Sequence, residues 1–164
     1  MTFYFKLENN AYDAYLAMIE VLKARAQRAL GLDMSDIIVR SLRPEDVGLA
    51  TPEWVFNITD ATWNTLVNVQ LSDQRFIGIN GLVYAESGAQ AVSQVKITRM
   101  GQDKRLWQTQ GINFLENSAI FVDDPVLCDQ NTNLTITGYG VADSVDEHIV
   151  FMGVVAEKRG LLLR

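Results

Sequence analysis

The chain has 164 residues, 48% of them hydrophobic and 21% charged, with 14 Lys and Arg against 20 Asp and Glu for a net charge of −6. That length suits one domain, or one domain with an arm, and the apolar fraction excludes wholesale disorder. One Cys excludes an internal disulfide framework and a Cys-based structural zinc site, one His excludes a two-His metal site within a chain, and the acidic balance disfavours an electrostatic grip on nucleic acid.

The first periodic segment predicts a helix over residues 11–30. Tyr12, Tyr15, Leu16, Ile19, Leu22, Ala26 and Leu30 recur at spacings of three or four. Asn10 suits the N-cap, Gly31 suits a left-handed C-cap, and Lys23, Arg25 and Arg28 favour the negative end of the helix dipole. Such a helix packs either on its own domain or on a neighbouring subunit. Residues 33–52 read as a connector, with a short strand at Ile37 to Val39 and a helical turn opened by Pro44.

From Glu53 the texture changes to strands and turns. Runs are expected at 62–71, 75–84, 92–100, 104–110, 119–122, 133–139 and 149–156. Gly78 and Gly81 suggest a bulge or a close backbone approach, and Gly101 marks a hairpin. The last run is apolar on both faces, as in a covered central strand. Roughly eight short strands at near-regular spacing predict a sandwich or barrel. The expected organisation is an arm and connector over 1–52, then a β-sandwich over 53–164 with an apolar tail.

The charge is uneven. From Leu106 to Glu157 there is no Lys or Arg, while the stretch holds eight acids; Glu20 to Arg43 holds five basic residues against three acids. Such asymmetry can orient association. Met1 to Glu8 lacks the pattern of a secretory signal, and the eight-residue apolar run at Ile149 to Ala156 is too short to span a bilayer. A soluble chain made in a cytoplasm is expected, and the Asn-x-Thr matches at Asn57 and Asn133 are then fortuitous.

Candidate chemistry is thin. Asp123-Asp124-Pro125, with Asp129 nearby, offers carboxylates for calcium or acid–base work, but lacks EF-hand spacing and reads better as a turn between strands. His148 beside Asp146 and Glu147 has no nucleophile elbow to serve. Cys128 in an acidic neighbourhood would be a poor nucleophile. Gly138-Tyr139-Gly140 lacks the helix and Lys of a phosphate loop. Trp54, Trp63 and Trp107 read as core or interface anchors, with a sugar-stacking platform as the alternative. No catalytic residue, cofactor or metal site is expected.

The last forty residues carry a resemblance. Asp124-Pro125-Val126, then Asn131 to Ile136, Gly138 to Gly140, and the closing run Phe151 to Gly160 resemble the end of jelly-roll decoration (cement) and minor capsid proteins of tailed phages. The resemblance implies a jelly-roll-like antiparallel β-sandwich with an N-terminal helical arm. It also implies a non-enzymatic virion component, often trimeric, bound to the major capsid protein. No residue role transfers, because the pattern defines a fold rather than a site.

The expected function is therefore a structural assembly protein that stabilises a shell, located in the virion and, before assembly, in host cytoplasm. Its partners would be identical copies and a shell protein, not nucleic acid or membrane. The expected contact residues are Tyr12, Tyr15, Leu16, Ile19 and Leu22 on the helix, with Leu161, Leu162 and Leu163 in the tail. The alternative is a carbohydrate- or receptor-binding β-sandwich module, which an exposed Trp63 or Trp107 in an acidic groove would favour. An enzyme ranks third.

Overall fold

A computed structural model of the chain describes residues 10–85, 90–114 and 118–161. Within them lie one long helix, α1 (Asn10–Leu30), and nine strands: β1 (Ile37–Ser41), β2 (Val55–Ile58), β3 (Trp63–Gln70), β4 (Arg75–Tyr84), β5 (Val92–Arg99), β6 (Gln102–Gln108), β7 (Ala119–Cys128), β8 (Asn133–Gly140) and β9 (Ser144–Lys158). The chain is mainly β, as expected.

The strands form two antiparallel sheets. One has the order β1-β9-β4-β7, with β2 also on β9; the other is β3-β8-β5-β6. Pairing is nested: β2 with β9, β3 with β8, β4 with β7, and β5 with β6. One long antiparallel ribbon has thus rolled up, and rolling adds the β4–β9 and β5–β8 pairs. This is the double Greek-key winding of a jelly roll. β1 and β2 lie end to end along one edge of β9, β2 against its start and β1 against its end.

Several boundaries depart from expectation for local reasons. Asn10 is already the first residue of α1 rather than its cap. At the other end Gly31 takes φ +62°, as a left-handed C-cap requires, and its N–H donates to the Gln27 carbonyl at 2.9 Å. β2 escaped sequence reading because four residues carry too little periodicity. β7 continues through Asp123-Asp124-Pro125 instead of turning there. It is an edge strand, so Pro125 withholds no N–H from an inner ladder, and the β4–β7 register breaks opposite Asn80, between Ile79 and Gly81. β9 runs for 15 residues and begins at Ser144, ahead of the run expected at 149–156.

Two apolar layers result. Between the sheets lie Ile77, Ile79, Leu82, Val95, Ile97, Leu134, Ile136, Phe151 and Val155, with the Trp54 and Phe56 rings edge-on to Phe151 at 5.6 and 6.2 Å. On the outer face of the first sheet, Met18, Leu22 and Ala26 of α1 cover Ile37, Phe76, Val154 and Ala156. Gly78 makes this possible: a Cβ there would lie 2.7 Å from Met18 Sδ and 2.8 Å from Leu22 Cδ1. The helix docks closely because β4 presents bare backbone beneath it.

Candidate functional site

α1 has one buried apolar face and further apolar residues in solvent at its margins. Met18, Leu22 and Ala26 recur every four residues and point into the sheet, with Tyr15, Ile19 and Leu30 half-buried beside them. Burial, with a contribution from Tyr12, raises the Tyr15 hydroxyl above its ordinary pKa. Tyr12, Leu16 and Val21 remain exposed on the outside, at 49%, 42% and 43%. Ala17 and Ala24 are exposed among them. An outer helix face is ordinarily polar; this one has only Asp13, Glu20 and Arg28 as exposed charges.

The expected contact residues therefore divide. Leu22 is fully buried against its own sheet and has no surface to offer a partner, a correction that follows from the gap at Gly78. Tyr15 and Ile19 are largely committed to the same packing. Tyr12 and Leu16 stay accessible, and Val21, which sequence reading passed over, joins them. Leu161 is half-buried, while Leu162 and Leu163 lie outside the described residues.

The basic lean of the helix and connector is partly spent inside the molecule. Arg25 pairs with Asp129 at 3.2 Å, tying α1 to the turn after β7. Arg40 joins a closed ring with Asp46, Arg75 and Glu157. Its Nη1 and Nη2 each donate to Asp46 at 2.6 Å, and its Nε donates to Glu157 Oε1 at 2.9 Å. Arg75 Nε donates to Glu157 Oε2 at 3.1 Å, and its Nη1 lies 3.5 Å from Asp46 Oδ1. Hydrogen bonding to Asp46 raises the Arg40 guanidinium above its ordinary pKa, against the opposing effect of burial, and Glu157 adds to the rise. Two cations and two anions balance, so the ring fastens β1, the Pro44–Val47 turn, β4 and β9 together.

The acidic cluster does not converge. Asp124 pairs with Arg105 across the open edge between β6 and β7, and Asp129 pairs with Arg25. Among the described residues no group of three or more His, Cys, Asp or Glu side chains gathers to hold a metal. Cys128 is fully buried; burial above all, with Asp129 adding and Arg99 opposing, pushes its thiol up to about 11. His148 lies in β9 opposite Val55. No described helix is long and apolar enough to cross a membrane.

The tryptophans separate. Trp107 is buried between the sheets, whereas Trp63 is exposed on the outer face of the β3-β8-β5-β6 sheet. There the Tyr139 ring meets it edge-on at 5.4 Å, and Lys96 Nζ lies 5.0 Å from its centre. Neither Lys96 nor the pairing of Trp63 with Tyr139 was legible in sequence. They meet only because β8 lies between β3 and β5.

No family model matches the chain, and no curated protein matches it. Among solved structures, the C-terminal CBM6 of LamC, a marine laminarinase from Zobellia galactanivorans, is similar at a TM-score of 0.34 and 7% identity, over 74% of this chain and 100% of that one. A likeness of that size carries no argument about what this chain does.

Proposed function

We propose that the chain is a non-enzymatic assembly protein, a decoration or minor component of a viral capsid that stabilises a shell through contacts between subunits. The observation that carries this reading is the apolar residues at the margins of the buried face of α1, where Tyr12 and Leu16 on one side and Val21 on the other stay exposed after that face has filled the sheet. Tyr12 and Leu16, one helical turn apart, are large exposed apolar side chains of the kind that suits an interaction site. The viral assignment rests on the resemblance of the C-terminal strands, and a jelly-roll body suits it.

The partners are further copies of the chain and a shell protein, with virion location following from that role. The test is light scattering with cosedimentation on purified shells. A mass near a multiple of 18.4 kDa, or cosedimentation, is expected, and a Leu16→Asp, Val21→Asp double variant is expected to lose it while staying folded. A wild-type chain that is strictly monomeric and binds no shell sinks the proposal.

A further inference from the structure

The helix covers only one side of the sandwich: α1 packs on β7, β4, β9 and β1. The outer face of the opposite sheet is left open among the described residues. Its outward side chains fall into rows across four strands. One row is Trp63, Tyr139, Gln94 and Gln108; the next is Thr65, Thr137, Lys96 and Leu106.

We infer that this face binds a neutral, polyhydroxylated ligand, a hexose polymer, with a sugar ring stacked on Trp63. Three observations carry this. The first is the aromatic platform. Trp63 is 41% exposed, and the edge-on Tyr139 ring holds its indole in place. An indole combines a broad apolar face with a polar edge, which matches the C–H face and hydroxyl rim of a pyranose.

The second is charge. The chain carries −6 overall, yet Lys96 is offset on this face by Asp103 at 3.7 Å. A balanced face neither steers a polyanion such as nucleic acid nor selects a polycation, and it complements a neutral ligand.

The third is the hydrogen-bonding floor. Thr65 and Gln94 flank the aromatic pair with groups that both donate and accept. The Thr137 hydroxyl, between Thr65 and Lys96 in register, is buried without a hydrogen-bond partner, so it becomes available to a ligand when a neighbouring side chain moves aside. Lys96 is the mobile member, because a long stem lets its ammonium leave the indole when a ring arrives. A floor of hydroxyls and amides would leave unpaired polar groups beneath an apolar protein segment, which argues for a sugar as occupant.

This inference is independent of the assembly role, which uses the far side of the molecule. It is tested by native affinity electrophoresis of the full chain in gels containing dextran, hydroxyethyl cellulose, galactomannan or yeast mannan, with alginate as the polyanionic control. Retardation by at least one neutral polymer and none by alginate is expected. Trp63→Ala is expected to weaken it roughly tenfold, the size of one lost stacking contact. Thr65→Lys, which adds bulk and charge to the exposed floor beside the aromatic pair, is expected to weaken it as well. Absence of retardation by every neutral polymer overturns the inference, as does equal retardation of Trp63→Ala and wild type, or stronger retardation by alginate. So does a dimer that Trp63→Ala converts to monomer, because the face would then belong to a second copy.

Discussion

Arg40 and Glu157 stand 117 positions apart in the chain and meet inside the fold, Arg40 Nε donating to Glu157 Oε1 at 2.9 Å. Glu157 is wholly buried, and its other oxygen receives Arg75. A carboxylate withdrawn from water is tolerable only with such partners. The connector is therefore locked to the sandwich by charge as well as by the β1–β9 ladder.

Removing one member of this ring leaves buried charge uncompensated. Arg40→Met is expected to lower unfolding free energy by about 3–5 kcal/mol. Arg25→Ala, which breaks the half-exposed pair with Asp129, is expected to change it by less than about 1 kcal/mol. Urea denaturation of both variants checks the contrast; similar losses would show that the ring is no stronger than a surface pair.

The seat of α1 depends on a missing side chain. Gly78→Ala puts a methyl group within 3 Å of Met18 and Leu22 and is expected to cost about 1–3 kcal/mol through overpacking. Met18→Ala alone is expected to cost about 2–5 kcal/mol through a cavity. The double variant should lose less than the two losses added, because the new methyl occupies part of that cavity. Strict additivity in a double-mutant cycle would show that the two groups do not touch.

The two faces of the helix should respond differently. Leu22→Ala is expected to lower stability by about 2–5 kcal/mol, while Leu16→Ala is expected to stay within about 0.5 kcal/mol of wild type. Thermal unfolding of each variant reads this directly, and a large loss at Leu16 would mean that its face is already covered within the monomer.

Cys128 gives the fold an alkaline limit. Its thiol rises from an ordinary 9.0 to about 11 in the folded chain, chiefly through burial. A raised acid pKa means that the unfolded state ionises first. The stabilisation is complete below about pH 9 and fades as pH climbs toward about 11, by roughly 2–3 kcal/mol in all. Cys128→Ala is expected to lack that part of the slope in urea titrations from pH 8 to 10.5. At pH 8 the wild-type thiol should react with Ellman's reagent only on unfolding; fast reaction of the native chain would contradict its burial.

Local sequence carried the extent of α1, its Gly31 cap and most strands, because alternation and helical spacing are written within ten to twenty residues. β2 and the full length of β7 were not legible. β2 is too short to show a period, and Asp123-Asp124-Pro125 looks like a turn unless an edge strand and a register break accommodate it. The candidate surfaces were half legible. Tyr12 and Leu16 were marked by apolar character, but so was Leu22, and only the docking direction of the helix separates them.

By itself the sequence determined that the chain is strand-rich, that a helix leads it, and that no disulfide framework or Cys-based zinc site can form. Those properties follow from residue counts and short-range periodicity. The tertiary structure alone decided which apolar residues remain in solvent, which charges are neutralised internally, and which aromatics share a surface. Arg40 finds Glu157, and Trp63 finds Tyr139 and Lys96, through antiparallel pairing across long stretches of chain. Periodicity tells a strand which of its residues share a face, but only the rolled-up ribbon tells it which strand lies alongside.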